Sequence, residues 1–331
     1  MRRRKFLSGS PNHIYQRSQN GSVIFYSLED CLVYFTVFCT CAKRYGVTVL
    51  GLCEMYDHIH QLVEAPDLPT LSGFERMVNM TFSYEYYGDL KRGAEGFVSD
   101  RNITSGSVSV TIPNIGHLFQ SPFGSAPKIG NKKIRTSIAY LYNNPVERNI
   151  HQEAIKWRWN FLAYSDSDHP YSEKVNLGIA SRRLRRAVAK VKYLHATERP
   201  LTYEVLDNLF DSLAIKEKQQ LVDLIINEYA IVDFRQAISF YGDYDKMLIA
   251  FASNTGSEYE INEPFDPHSG QAFRKMADYL ARDNRFKSIG EVINLPLGKL
   301  VEYLDELVSQ CGVRQCHAMK FLHIIQNRLG T

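Results

Sequence analysis

With 44% hydrophobic and 23% charged side chains over 331 residues, the chain can bury one or two substantial cores and is neither disordered nor fibrous. Its longest apolar stretch, Cys31 to Ala42, falls well short of the roughly 20 residues that cross a bilayer. The basic start Met1 to Lys5 leads into Ser8-Gly-Ser-Pro-Asn12 where a secretion signal needs an apolar core, so a soluble, cytoplasmic protein is expected. The net charge of +3 is unevenly spread: residues 1–165 carry 18 Lys/Arg against 13 Asp/Glu, and residues 166–331 carry 21 against 23. The first half is therefore the better partner for a polyanion. Six cysteines without a CxxC pair exclude a disulfide framework and a zinc ribbon, and Cys31, Cys39 and Cys53 read as reduced core residues.

In chain order, residues 13–26 alternate and break at Asn20-Gly21, which predicts a strand, a turn and a short second strand. Leu28 to Tyr45 has helical spacing, with Glu29 and Asp30 in its first turn and Gly46 at its end. Val47 to Met55 and His58 to Glu64 read as two strands joined by a tight turn at Tyr56-Asp57. Leu71 to Leu90 is a second helix. Residues 92–115 are rich in Gly and Ser, and Ser107 to Pro113 reads as a further strand. Ile134 to Asn144 is a late helix limited by Pro145. This order predicts an α+β fold, an antiparallel sheet with helices packed on it, over 1–165. Residues 166–178 are polar and aperiodic and read as a linker. Residues 179–331 are helix-periodic apart from a loop at 254–270, and form a mostly α-helical C-terminal domain.

His58-Ile59-His60 is the most informative triplet. On a strand, residues i and i+2 face one side, so the two imidazoles converge while Ile59 points to the core. That is half of a metal site, or else a surface coincidence. Tyr140 and Asn144 are i and i+4 on a helix and share a face, so that a phenol and an amide oxygen can approach the same metal. Equally, Tyr140 and Tyr142 can be packing aromatics and Asn143-Asn144-Pro145 a helix stop.

Taken together, His13-Ile-Tyr-Gln-Arg17, Val23-Ile-Phe25, Asp57-His-Ile-His-Gln-Leu-Val63, Gly116-His-Leu-Phe-Gln120 and Tyr140-Leu-Tyr-Asn-Asn-Pro-Val146 resemble, in order and approximate spacing, the single-tyrosine HUH transposases of the insertion-sequence 200-like family. The last segment is most similar to the REP-associated tyrosine transposase branch. The resemblance covers roughly residues 10–165. It implies a ferredoxin-like HUH fold, with His58 and His60 as the two histidines of the motif, Tyr140 as the nucleophile and Asn144 as the third metal ligand. It implies a bacterial enzyme that cuts and rejoins single-stranded or hairpin DNA through a 5′-phosphotyrosine, leaving a free 3′-OH and needing no ATP. A mixed N/O site of this kind suits Mg²⁺ or Mn²⁺. Monomers and homodimers both occur in the family, so the oligomeric state stays open.

The chain departs from the family pattern twice. Asp57 stands before the motif where Asn is usual, a carboxylate that either tightens metal binding or opposes an incoming phosphate. Ser121 to Pro127 is richer in proline than expected. Outside the motif, Arg17 and the basic run Arg182, Arg183, Arg185, Arg186 and Lys190 are candidate phosphate contacts, the run reading equally as a solvated helix face. Residues 304–328 resemble a helix-turn-helix turning at Gly312, which would present Arg314, Gln315, His317 and Lys320 to DNA; two packed helices without groove contact fit the same pattern. Two rival readings compete with the transposase: a domesticated, catalytically silent DNA-binding protein, against which the retained His58, His60, Tyr140 and Asn144 argue, and a hydrolase using the two histidines, which has no need of Tyr140.

Overall fold

Period-two alternation places one set of side chains on each side of a four-stranded antiparallel sheet. The computed structural model describes residues 5–99, 117–253, 270–282, 286 and 289–324. Strands β1 (Asn12–Arg17), β2 (Thr48–Glu54), β3 (His58–Glu64) and β4 (Gly124–Pro127) run in the order β2-β3-β1-β4. Helices α1 (Leu28–Tyr45) and α2 (Leu68–Ser99) cover the face that carries Ile14, Ile59 and Val63. Helix α3 (Asn131–Glu147) covers the other face, over Leu50, Cys53 and Leu62. A register shift between Val49 and Gly51 lets Val49 and Leu52 join the first core while Leu50 and Cys53 join the second.

Helix α1 keeps the bounds its sequence signals. Ser27 Oγ accepts from Asp30 N–H at 3.2 Å, Asp30 Oδ2 accepts from Ser27 N–H at 3.0 Å, and Gly46 closes the helix at φ 62°. Helix α2 is longer than expected, and Asp67 Oδ1 takes the Thr70 N–H at its start. The short strand expected near residue 24 does not form. Val23, Ile24 and Phe25 are buried, but the N–H groups of Ile24 and Phe25 both turn to Tyr56 O instead of joining a ladder. The proline-rich stretch at 121–127 instead supplies the edge strand β4, paired with β1 from Asn12↔Pro127 to Tyr15↔Gly124. An added Cβ on Gly124 would fall 2.0 Å from the Tyr15 ring, so only glycine fits beneath it. The strand expected at 107–113 and nearly all of the loop at 254–270 lie outside the described residues.

The second half of the chain is helical: α4 (Arg182–Ala196), α5 (Tyr203–Phe210), α6 (Ile215–Tyr229), α7 (Phe234–Ser239), α8 (Tyr244–Ser253), α9 (Gln271–Ala281), α10 (Ile289–Ile293), α11 (Leu297–Cys311) and α12 (Gln315–Phe321). The expected division at 166–178 does not coincide with a break in the core. Apolar residues of α4, α5 and α6 share one cluster with α1 and α2, those of α7 and α8 pack with α3, and α9 to α12 build a third cluster. The polar stretch itself is fastened down: Asp223, buried on α6, accepts from the Tyr171 N–H at 3.0 Å and Ser172 Oγ at 2.9 Å. Asp233 N–H donates to Val49 O at 2.7 Å, extending the chain along the β2 edge.

Helices α11 and α12 meet at Gly312, in the left-handed region at φ 62°. Two of the four side chains expected to face DNA there point inward instead. Lys320 is 4% exposed, and its ammonium reaches Asp30 Oδ1 at 2.7 Å and Asp89 Oδ2 at 3.0 Å. Tyr203 Oη donates to the same Asp30 oxygen at 2.6 Å. His317 is also buried and meets Arg314 Nη2 at 2.9 Å, while burial and that guanidinium lower its pKa to about 4. Arg314 stays exposed and Gln315 half-buried. Side chains buried against partners within the fold, Lys320 on two carboxylates and His317 on Arg314, are not available to a groove, so both are withdrawn as DNA contacts.

The Lys320 ion pair makes a direct prediction. Lys320→Met leaves Asp30 without its cation and Asp89 with only Arg92 at 3.4 Å, and should cost about 3–5 kcal/mol in chemical denaturation. A loss below about 1 kcal/mol would mean that the α12 contact contributes little to the folded state.

Candidate active site

Strand pairing assembles the site before any helix is considered. In the β1–β3 register Tyr15 lies opposite His60 and Arg17 opposite His58. Cross-strand partners share a face, so His13, Tyr15 and Arg17 line up beside His58 and His60 on the side covered by α3. The imidazole centroids of His58 and His60 are 4.9 Å apart. From the helix, Tyr140 brings its ring centroid to 5.3 Å from that of His60, and Asn144 Nδ2 lies 3.1 Å from His60 Nε2. The four side chains expected to form a site are therefore neighbours.

His60 sits at the centre, fully buried. Its Nδ1 lies 3.1 Å from His13 Nε2. With the Asn144 amide donating to Nε2, the His60 proton belongs on Nδ1 and points at His13, which leaves the Nε2 lone pair on the Asn144 side. Burial, followed by the charges of His58, Arg148 and Arg17, holds His60 well below the usual imidazole range, so the ring stays neutral. His58 is oriented from its other edge: Nδ1 lies 2.6 Å from Asp57 Oδ1, and Nε2 is buried without a hydrogen-bond partner. Burial raises the Asp57 pKa, but the hydrogen bond and charge of His58, with Arg148, outweigh it and keep the carboxyl below its ordinary value. The Asp57 carboxylate thus grips the far side of His58.

The two tyrosines of the helix separate as their spacing requires. Tyr142 lies about 200° around the helix from Tyr140. It is 1% exposed, packs on Phe251 with centroids 5.6 Å apart, and its hydroxyl has no partner. Burial pushes its phenol well above the ordinary range. Tyr140 and His58 keep 9% and 6% exposure, more than His60 or Asn144, so the cluster opens toward solvent on their side. Helix α3 runs through Pro145 to Glu147; in the last turn the proline loses one N–H without ending the helix.

Two residues here were given no role from the sequence. His13 gains one only through strand pairing. Arg148 gains one through the last turn of α3, where its charge bears on both Asp57 and His60. Among the described residues no group of three or more His, Cys, Asp or Glu is placed to hold a metal ion. Any metal here has to use the Asn144 amide together with the two imidazoles. The basic run expected at 182–190 is the outer face of α4, with Arg182, Arg183, Arg185, Arg186 and Lys190 exposed and Leu184, Ala187, Val188 and Val191 buried. Among the described residues no helix is long and apolar enough to cross a membrane.

No protein-family model matches the chain, and no curated protein does. Among solved structures, a REP-associated tyrosine transposase bound to a REP hairpin is similar over 55% of this chain and 97% of that one, at 12% identity and a TM-score of 0.37. A likeness of that degree carries no argument about this site, which stands on its own side chains.

The separation of the tyrosines is open to measurement. Removing a buried hydroxyl that has no partner is neutral or stabilising, so Tyr142→Phe should unfold at the same denaturant concentration as the parent or gain up to about 1 kcal/mol. A loss of more than about 1 kcal/mol would show that this hydroxyl is bonded in solution.

Proposed function

We propose that this chain is a metal-dependent enzyme that cleaves and rejoins single-stranded DNA, hairpin-bearing strands included, through a covalent 5′-phosphotyrosine on Tyr140. One observation carries the reading: a phenol, two imidazoles and an amide, from segments far apart in sequence, meet on one face of the sheet. Packing alone does not call for that combination.

A divalent cation fits the residues present. His58 Nε2 and Asn144 Oδ1 are buried atoms without partners; His60 Nε2 takes the Asn144 N–H here, and a turn of that amide would free its lone pair and bring Oδ1 to the same side. Imidazole and amide-oxygen donors suit Mg²⁺ or Mn²⁺, with Mn²⁺ better matched to imidazole. When bound, the ion would neutralise phosphate charge and act as a Lewis acid.

The chain's own residues do the rest. The Tyr140 oxygen attacks phosphorus, the bond from phosphorus to the 3′ oxygen breaks, and that oxygen leaves as a 3′-OH after taking a proton. Tyrosine has an ordinary pKa of about 10, so it must lose its own proton as the bond forms. Arg17 and Arg148 add positive charge at the mouth of the cluster, where a phosphate has to settle. Asp57 and His13 hold the outer edges of His58 and His60 and so aim their inner nitrogens. The exposed cations of α4, with Arg17, Arg314 and Gln315, are the surface groups left for backbone contacts to a strand.

The test combines a metal readout with a chemical one. Mn²⁺ at about 100 times its dissociation constant should stabilise the protein by about 2.7 kcal/mol. His60→Ala should abolish that gain, and Tyr140→Phe should keep it. With hairpin-bearing single-stranded DNA and Mn²⁺, the parent should form a covalent adduct, and Tyr140→Phe should lose it by about 10³-fold or more. Metal stabilisation with no adduct from the parent would leave a silent DNA-binding protein; equal stabilisation of His60→Ala would remove the metal site.

A further inference from the structure

A second site lies at the end of β2, where the chain turns toward His58. A cavity of about 460 Å³ opens between the start of α1, residues 54–56 and the short helical turns around residues 156–159. That is the size of a small-ligand pocket. Aromatic rings form a large share of its walls: Phe25, Tyr26, Tyr56, Trp157, Trp159 and Tyr171. Tyr56 is 46% exposed, and its ring centroid lies 5.4 Å from that of Trp157. Lys156 and Arg158 also line it, the Arg158 guanidinium lying 4.4 Å from the centroid of the Tyr171 ring.

Glu54 also lines the cavity and is 1% exposed, yet neither of its carboxyl oxygens has a hydrogen-bond partner. The nearby Tyr26 hydroxyl is likewise buried without one. Burial pushes the Glu54 carboxyl well above its ordinary pKa, only partly relieved by the Cys31 thiol. A buried carboxyl whose one neighbouring donor is a weak thiol costs stability. The catalytic cluster does not use it. Glu54 pairs with Ile59 in the sheet register, so its side chain lies on the face opposite His58 and His60.

We propose that this cavity binds one unpaired nucleobase, stacked on the aromatic walls, with an N–H edge on Glu54 and its phosphate toward the exposed Lys156. Every base offers a flat π-face and at least one N–H on its pairing edge, and a carboxyl oxygen accepts an N–H in either protonation state. An organic cation would also suit aromatic walls and a carboxyl. The exposed Lys156 beside them favours a ligand with an anionic end, while Arg158 is held by Asp223 at 3.5 Å and Gln219 at 2.8 Å and serves as wall. The base belongs either to a free nucleotide or to a DNA strand, and the site does not depend on chemistry at Tyr140.

The chain has two tryptophans, and both line this cavity, so fluorescence under tryptophan-selective excitation reports on it. The full chain would be titrated with the four deoxynucleoside 5′-monophosphates, with single-stranded tetranucleotides, with an abasic tetramer and with choline. Saturable quenching by monophosphates assigns a free nucleotide, and quenching by tetranucleotides alone assigns a base within a strand; either supports the proposal. Glu54→Leu and Tyr56→Ala should each weaken that binding by about tenfold or more, and Tyr140→Phe should not change it. Glu54→Leu should also melt no lower than the parent, because it removes an unbonded buried carboxyl; Tyr56→Ala, at an exposed ring, covers the case in which it fails to fold. No quenching by any base-bearing probe, equal quenching by the abasic tetramer, quenching by choline alone, or unchanged affinity in both variants would overturn the proposal.

Discussion

Everything at the proposed active site hangs on the two contacts to the ring of His60. One edge meets His13 on β1 and the other meets Asn144 on α3, each at 3.1 Å. A buried neutral imidazole needs both its nitrogens bonded, and this one is bonded from opposite sides of the sheet–helix junction. The constraint reaches outward. A one-residue slip of β1 on β3 would turn His13 to the opposite face, and a shift of α3 by one position would swing Tyr140 and Asn144 away together. The glycine under Tyr15 and the bulge at Leu50 serve the same alignment, since each lets a flanking strand stay in register beside His60.

A second buried carboxylate joins that sheet to the rest of the chain. Asp30 caps the first turn of α1 with one oxygen and takes Tyr203 and Lys320 on the other. Residues separated by 173 and 290 positions thus converge on one side chain. The helical half is therefore built into the sheet-bearing half through α1 rather than appended to it. The cost of burying these charges is met by mutual pairing, with the Lys320 ammonium also within 4.5 Å of the Tyr86 and Tyr203 ring centroids.

What could be read from the sequence was what depends on local spacing. The bounds of α1 follow from Glu29 and Asp30 in its first turn and Gly46 at its end; period two on a strand pairs His58 with His60 and i, i+4 on a helix pairs Tyr140 with Asn144, while the resemblance alone implied that the two pairs meet. What stayed hidden depends on partners distant in the chain. The edge strand β4 has little strand propensity, and its pairing rests on clearance beneath Tyr15. Val23 to Phe25 alternate like a strand, but their N–H groups are spent on Tyr56. Lys320 and His317 look like surface cations on an amphipathic helix until Asp30, Asp89 and Arg314 are placed around them. Glu54 gave no signal either, since a carboxylate ending a strand is ordinary until its oxygens are found buried and unbonded.

The central claim is that one oxygen atom, on Tyr140, forms the bond to DNA. The most direct measurement is peptide mapping by mass spectrometry of the protein after reaction with hairpin-bearing single-stranded DNA and Mn²⁺, with the nuclease-trimmed nucleotide as the mass tag. The tag is expected on the peptide containing residues 136–147, with fragment ions placing it on Tyr140. A tag on Tyr142, on any other residue, or on none after confirmed strand cleavage would contradict the account.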